Sequence, residues 1–453
     1  MYRKNDSIEL DITALTSDGD GVGRAGELVF FVPNTAVGDT VRAKVLKLKK
    51  NVGFARLEEI LTPSPDRIAS DCSVSFSCGG CVYRHLSYEA ECRAKRQKVI
   101  DAVTRIGKLD AALVKDIIPS KNIDGYRNKA MIPVGLNNAG EVVMGYYARH
   151  SHHIMPCLSC RLSPDIFNAI TAHFYGFIKD RPELVYSASN RKGIRHLYLR
   201  HAEDTGEVMV CIVAGARYFK GDHRIYDSLI EKFPQIKSMV INVNLDDTNV
   251  ILGKETVLIY GSDHISDILC GLRFEIAPEA FYQINRAQAE RLYAKARDYA
   301  ALTGGETLLD LYCGAGTIGL SMADGVRRLI GVEIIPEAIE NAKRNATENG
   351  IHNARFLCGD AAKAAETLRA EGVRPDVIVV DPPRKGLTPP LIETIVEMSP
   401  DRLVYVSCDP ATLARDLKLF SEKNYSVKEI TPVDMFPRTS HVESVVMMSR
   451  NNI

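Results

Sequence analysis

From Glu306 onward the chain repeats one pattern. Short apolar runs, TLLDLYC, RLIGVEI, ARFLCGD, DVIVVDPP and RLVYVSC, alternate with stretches of helical periodicity. A continuous apolar run reads as a strand buried on both faces, and strands separated by helices pair in parallel through crossovers. The pattern therefore predicts a doubly wound α/β sheet, which binds ligands at the carboxyl ends of its strands. The terminal stretch SVKEITPVDMFPRTSHVESVVMMSR adds two strands joined by a loop and reads as a hairpin.

Upstream the period changes. Residues 8–60 show strand alternation in IELDITAL and VRAKVLKL, with a turn at Asp18-Gly19-Asp20-Gly21, and predict a small β-barrel over 1–62. The two prolines of TPSPDR mark a linker. Residues 68–285 read as a β-rich central α+β domain: a cysteine cluster, a basic helix around EAECRAKRQKVIDAVTRIGKL, then strands joined as antiparallel hairpins. A helix is expected at about 286–301, and 286–453 forms the doubly wound domain. A chain of 453 residues can bury the cores of two to four domains.

Lys plus Arg equals Asp plus Glu at 57 each, so attraction to nucleic acid must come from local patches. One candidate is RAKVLKLKK, 42–50, with five basic residues in nine, whose other reading is a solvated hairpin. A second is Arg93, Lys95, Arg96 and Lys98 on the basic helix. No apolar run approaches the ~18 residues that cross a membrane. The charged start lacks a signal-peptide segment, which predicts a cytoplasmic protein. There the 11 cysteines are expected as thiols or metal ligands.

In LLDLYCGAGTIGL the first strand runs into the glycine-rich turn Gly314-Ala315-Gly316, where a ligand can approach the backbone. Gly319 follows Ile318, and the turn is read as departing from the dinucleotide pattern. Glu333, 19 residues after Gly314, stands where an acid binds ribose hydroxyls. Asp360 ends the third strand, where an adenine amino group could be met. Singly these acids read as turn caps; in register at strand ends they suit S-adenosylmethionine, which has one ribose and no pyrophosphate.

Asp381 ends the fourth strand, before two prolines and Arg384. Enzymes that methylate exocyclic amines usually carry an aromatic there, so Arg384 points to another acceptor atom. Cys408 ends the fifth strand, in the turn before a helix with Asp409 as N-cap and Pro410 at its first position. The helix's positive end is expected to favour a thiolate. A thiolate beside a methyl donor can add to carbon 6 of uracil, making carbon 5 nucleophilic enough to take a methyl group. A base must then remove the carbon-5 proton, and Glu443 in SHVESVV is the candidate.

DLYCGAGTIGL, DPPRKG, VYVSCDP and HVESV, with FYQIN and YRNKAMIPV upstream, resemble the RNA uracil-5-methyltransferases over essentially the whole chain. The resemblance implies a Rossmann-like methyltransferase domain and a barrel similar to the TRAM module of the ribosomal-RNA members. It implies Cys408 as nucleophile and Glu443 as base. It places Gln283, Tyr312, Glu333 and Asp381 around the methyl donor, with Asp381 also near the uracil. Thr317 falls where some relatives have asparagine.

DCSVSFSCGGCVYRH supplies Cys72, Cys78 and Cys81, and HHIMPCLSC adds Cys157 and Cys160. Similar relatives hold a four-iron, four-sulfur cluster, and by resemblance Cys160 is the fourth ligand. The other reading is zinc on Cys78, Cys81, Cys157 and Cys160. The expected function is S-adenosylmethionine-dependent methylation of carbon 5 of a uridine in 23S ribosomal RNA, by a monomer with RNA as its partner. A transfer-RNA substrate, or a non-catalytic ribosome-assembly factor, are the alternatives.

Overall fold

The computed structural model describes residues 2–187, 189–218 and 221–451. Strands β1 (Ser7–Leu15), β2 (Gly21–Ala25), β3 (Leu28–Val32), β4 (Thr40–Leu48) and β5 (Val52–Thr62) close into a barrel in the order β1-β2-β3-β5-β4. Their alternation sends Ile8, Leu10 and Ile12 inward against Phe30, Val41 and Val45, while the charges of β1 face out. After an irregular cysteine-bearing segment comes helix α1 (Tyr88–Arg105), capped by the Ser87 hydroxyl.

The central sheet holds β6 (Lys129–Leu136), β7 (Val142–Tyr147), β8 (Ile154–Pro156), β9 (Ile194–His201), β10 (Val208–Ala214), β11 (Ile236–Val243) and β12 (Glu255–Gly261), in the order β12-β11-β10-β9-β6-β7-β8. It is not all hairpins. Helices α2 (Asp165–Ile178) and α3 (Asp222–Lys232) interrupt it, and α3 is the crossover that makes β10 and β11 parallel. The signal was a helical period: Phe167, Ile170, Phe174 and Ile178 form one buried stripe, as do Ile225 and Leu229. A small hairpin, β13 (Ile265–Leu269) and β14 (Leu272–Ile276), follows.

Helix α4 (Arg286–Ala300) leads into the second large sheet, of β15 (Thr307–Leu311), β16 (Arg328–Glu333), β17 (Ala354–Cys358), β18 (Val377–Val380), β19 (Arg402–Ser407), β20 (Tyr425–Val433) and β21 (Glu443–Arg450). Between them run α5 (Thr317–Leu320), α6 (Pro336–Glu348), α7 (Ala361–Ala370), α8 (Pro389–Met398) and α9 (Pro410–Ser421). The order is β17-β16-β15-β18-β19-β21-β20, with the first five strands parallel and β21 antiparallel to both neighbours. Alternate strand residues serve two cores. Leu309, Ile330, Ile378 and Leu403 pack under α7, α8 and α9, and Leu308, Leu329, Val379 and Val404 pack under α4. The strand order reverses between β15 and β18, which opens a crevice at their carboxyl ends. No helix among the described residues is long and apolar enough to cross a membrane.

Candidate active site

The turn after β15 is held open by backbone geometry. Tyr312, Gly314 and Gly316 have φ of +67°, +55° and +84°, a region that favours glycine. A Cβ on Gly314 would meet nothing within 4 Å, so its face is open to a ligand. Gly319 is the third glycine of Gly314-x-Gly316-x-x-Gly319, so the G-x-G-x-x-G spacing is complete and the glycines do not disfavour a dinucleotide. A Cβ at Gly319 would come 2.7 Å from Asp310 Oδ2. Glycine there lets α5 close on β15, and the Gly319 N–H donates to that oxygen at 2.9 Å.

Glu333 shapes the same turn. Its Oε2 accepts from the Gly314 N–H at 3.2 Å, and Oε1 accepts from Ile334 and Ile335 at 2.8 and 3.0 Å. Asp360 is exposed, and its Oδ1 caps α7 through the N–H groups of Ala362 and Lys363. Thr317 meets the buried Tyr293 hydroxyl of α4 at 2.9 Å, and the Gln283 side chain lies beside the same hydroxyl. Asn128 fixes the Gln283 carbonyl from below, at 2.7 Å. Gln283, Thr317, Gly314, Gly316, Tyr312 and Glu333 therefore belong to one rim, joined by the unforeseen Tyr293.

Across the crevice lie the acceptor-side groups. In the antiparallel register of β19 and β21, Ser407 faces Ser444, and the next positions in that register are Cys408 and Glu443. Glu443 is buried, and burial, then the nearby Asp381 carboxylate, lift its carboxyl to about 8, against a pull from Arg384. Burial lifts Asp381 to about 7. Burial first, then Glu443 and Asp381, push the Cys408 thiol up to about 11, with Arg384 again opposing. Burial and the two carboxyl groups thus work against the thiolate expected from the helix end. Asp409 Oδ1 accepts from the Ala411 and Thr412 N–H groups at 3.0 and 2.9 Å, so the cap's own negative charge already occupies the end of α9.

Asp310 was not foreseen as a site residue. It is buried with Oδ1 unpartnered, and burial, then Asp381 and Glu333, raise it to about 8 against the Gly319 N–H. The signal was there: a lone acid in an apolar strand is seldom buried without a task.

The cysteine-bearing segment runs along the end of β7, where the Gly79 N–H donates to the Tyr147 carbonyl at 3.0 Å, and Cys157 and Cys160 follow β8. Asn168 of α2 accepts from the Cys160 N–H at 2.9 Å, and the Gly80 N–H points at Cys78 Sγ, 3.3 Å away. The thiols feel one another. After burial, Cys160 is among the groups that push Cys78, Cys81 and Cys157 up, and Cys72 acts on Cys78 and Cys157. Thiols are the donor type that a thiolate-held metal group takes, but the described side chains are not gathered to ligating distance. Among the described residues, no three His, Cys, Asp or Glu side chains lie close enough to hold a metal ion.

A five-stranded parallel sheet in the order 3-2-1-4-5, a glycine turn backed by an acid and an antiparallel terminal pair define the class: a methyltransferase of the S-adenosylmethionine-dependent fold. The tRNA (Uracil-5-)-methyltransferase family matches residues 234–451, and the TRAM domain matches residues 4–57. An uncharacterized RNA methyltransferase of Halalkalibacterium halodurans is 41% identical over 450 residues, 99% of this chain and 98% of that one. One of Staphylococcus aureus is 39% identical over 447 residues, 98% of each. The crystal structure of the Pyrococcus abyssi tRNA (uracil-54, C5)-methyltransferase in complex with S-adenosyl-L-homocysteine is similar with a TM-score of 0.79 and 28% identity, over 97% of this chain and 100% of that one. The chain belongs to the RNA uracil-5-methyltransferase family and is an RNA methyltransferase.

Proposed function

We propose that the protein methylates carbon 5 of a uridine in 23S ribosomal RNA through a covalent bond between Cys408 and carbon 6. The observation that carries this reading is the meeting of Cys408, Glu443 and Asp381 at the end of β18, β19 and β21. S-adenosylmethionine, when bound, supplies an electrophilic methyl group. Gln283, Tyr312, Thr317 and Glu333 hold it on the rim, with Gly314 and Gly316 admitting it, and Asp360 lies at the adenine end. Cys408 gives up its thiol proton to a carboxylate of the crevice and adds to carbon 6 as thiolate, and the C5=C6 electron pair moves onto carbon 5, which takes the methyl group. Once carbon 5 carries the methyl group, Glu443 takes the carbon-5 proton, the ring double bond re-forms and the sulfur leaves with its electron pair. The buried carboxyl of Asp381 donates to, or accepts from, the uracil edge.

The barrel and the cysteine segment support a ribosomal substrate through their resemblance to the TRAM module and the cluster of the ribosomal-RNA members. A second reading, transfer RNA, draws on the match to the archaeal enzyme, which at 97% of this chain must include the barrel. Cys72, Cys78, Cys81 and Cys160 are proposed to hold a four-iron cluster; zinc is the alternative. The test is RNA bearing 5-fluorouridine. Wild type is expected to form a stable adduct with a 23S fragment and not with transfer RNA, and Cys408→Ala to form none. Substantial turnover by Cys408→Ala would sink the covalent step, and adduct with transfer RNA alone would reassign the substrate. Iron and sulfide in anaerobically purified protein, lost in Cys72→Ser, test the cluster; one zinc per chain unaffected by that substitution would reverse it.

A further inference from the structure

The loop from Asp434 to Val442 joins β20 to β21 and delivers Glu443 to the crevice. Helix α1 grips it at every second residue. The Tyr88 hydroxyl donates to Asp434 Oδ2 at 2.7 Å. Lys95 Nζ donates to Asp434 Oδ1 at 2.7 Å, to the Phe436 carbonyl at 3.0 Å and to Glu91 Oε1 at 2.7 Å. Glu91 Oε1 accepts from the Arg438 N–H at 2.6 Å. Lys98 Nζ donates to the Ser440 carbonyl at 2.9 Å. Residues 88, 91, 95 and 98 follow helical spacing, so they form one polar stripe. Glu91, Lys95 and Asp434 are fully buried.

Lys98 differs from the rest of the stripe. Its ammonium also donates to the Ser17 carbonyl of the barrel, at 2.9 Å. It thus ties the barrel's β1–β2 turn to a point three residues before Glu443. Both partners are neutral carbonyls, so Lys98 is not there to neutralise a carboxylate. Burial pulls its pKa down despite Asp18 and Asp409 nearby.

We propose that Lys98 is a positioning residue for Glu443: it locks the base-bearing loop to the barrel so that the carboxyl is aligned for the carbon-5 proton. The proposal rests on the reading of Glu443 as the base. A misplaced base slows one step only. Carbon 6–sulfur bond formation and methyl transfer precede it, and proton removal with sulfur expulsion follows.

The experiment is a single turnover with saturating RNA, following both incorporation of methyl into protein-bound RNA and release of free methylated RNA. Lys98→Met is expected to load methyl within about twofold of wild type and release product about tenfold more slowly, with adduct accumulating. Lys98→Arg, which keeps a charged donor, is expected to recover most of the release rate. Release by Lys98→Met at the wild-type rate would overturn the proposal, as would equal loss of loading and release. Where Lys98→Met does not fold, Lys98→Gln, with a shorter neutral donor, is measured against the same two outcomes. If wild type itself forms no adduct with 5-fluorouridine RNA, the covalent reading falls first and the positioning role with it; adduct in wild type with unchanged Lys98 variants sinks the positioning role alone.

Discussion

Asp310 is buried in β15 behind the glycine turn, Asp381 and Glu443 meet in the crevice, and burial lifts the three carboxyl groups to about 8, 7 and 8. Glu443 must be ionised to accept a proton, and the ionised fraction grows as pH rises through its raised pKa. Release of methylated RNA from the adduct is therefore expected to accelerate from about pH 6, reach half its plateau near pH 8 and level off above about pH 9. A flat profile in single-turnover release would show another group to be the base. The same shifts have a cost in stability. A carboxyl whose folded pKa is raised holds its proton more tightly in the folded state. Its contribution is complete below the unfolded carboxylate range and is lost as pH rises through about 8. Asp310→Asn keeps an acceptor for the Gly319 N–H and removes the charge. It is expected to stabilise the fold by more than about 1 kcal/mol at pH about 8, read as a higher melting temperature, and to change it little at pH about 3.5, below the unfolded carboxylate range. Equal effects at both pH values would mean that Asp310 is not held protonated.

At the scale of one element, α9 shows how a cap and the proposed nucleophile share one helix end. Asp409 satisfies two end N–H groups of the helix and places its negative charge at the end whose field would otherwise favour a thiolate at Cys408. Asp409→Ala is expected to cost about 1 kcal/mol of stability. It should also lower the pKa of Cys408, read from the pH dependence of alkylation at the Cys408 peptide. An unchanged alkylation profile would show that the cap does not govern the thiol. Helix α1 makes the complementary point. Its composition reads as an RNA-facing basic surface, yet Lys95 is buried with Glu91 and Asp434, and Lys98 bridges two carbonyls. Arg93 pairs with Asp66, and Arg96 donates to the Val114 and Lys115 carbonyls. The helix is a structural strap, and its cations are engaged within the fold.

Across the whole molecule, the free positive charge of the barrel must do more of the work of attracting RNA. Arg42 is bound to Glu9 and Glu59, but Lys47, Lys49 and Lys50 are exposed, and the Lys49 ammonium sits 5.6 Å from the Phe54 ring centroid. Basic and aromatic groups side by side suit single-stranded RNA. Lys47→Glu with Lys49→Glu is expected to weaken RNA binding and flatten its dependence on salt, leaving single-turnover methyl transfer at saturating RNA much less changed. Wild-type affinity and salt slope would mean that this edge is merely solvated.

The local pattern of the chain determined much of this. Five apolar runs separated by helices dictate a parallel sheet, because each strand must be buried on both faces. A cap and a proline after Cys408 place it at the ligand edge, and the glycine turn and Glu333 announce a nucleoside pocket. These signals are legible because they act over a turn or a strand. What only the tertiary structure decided depends on partners far away in the chain. Lys95 meets Asp434 across 339 residues, and the Cys408 thiol is raised by burial, then by Glu443 of β21 and Asp381 after β18. Charge state and exposure are properties of the assembled interior, since desolvation and neighbouring charge arise only when the sheet, α1 and the terminal loop close on one another.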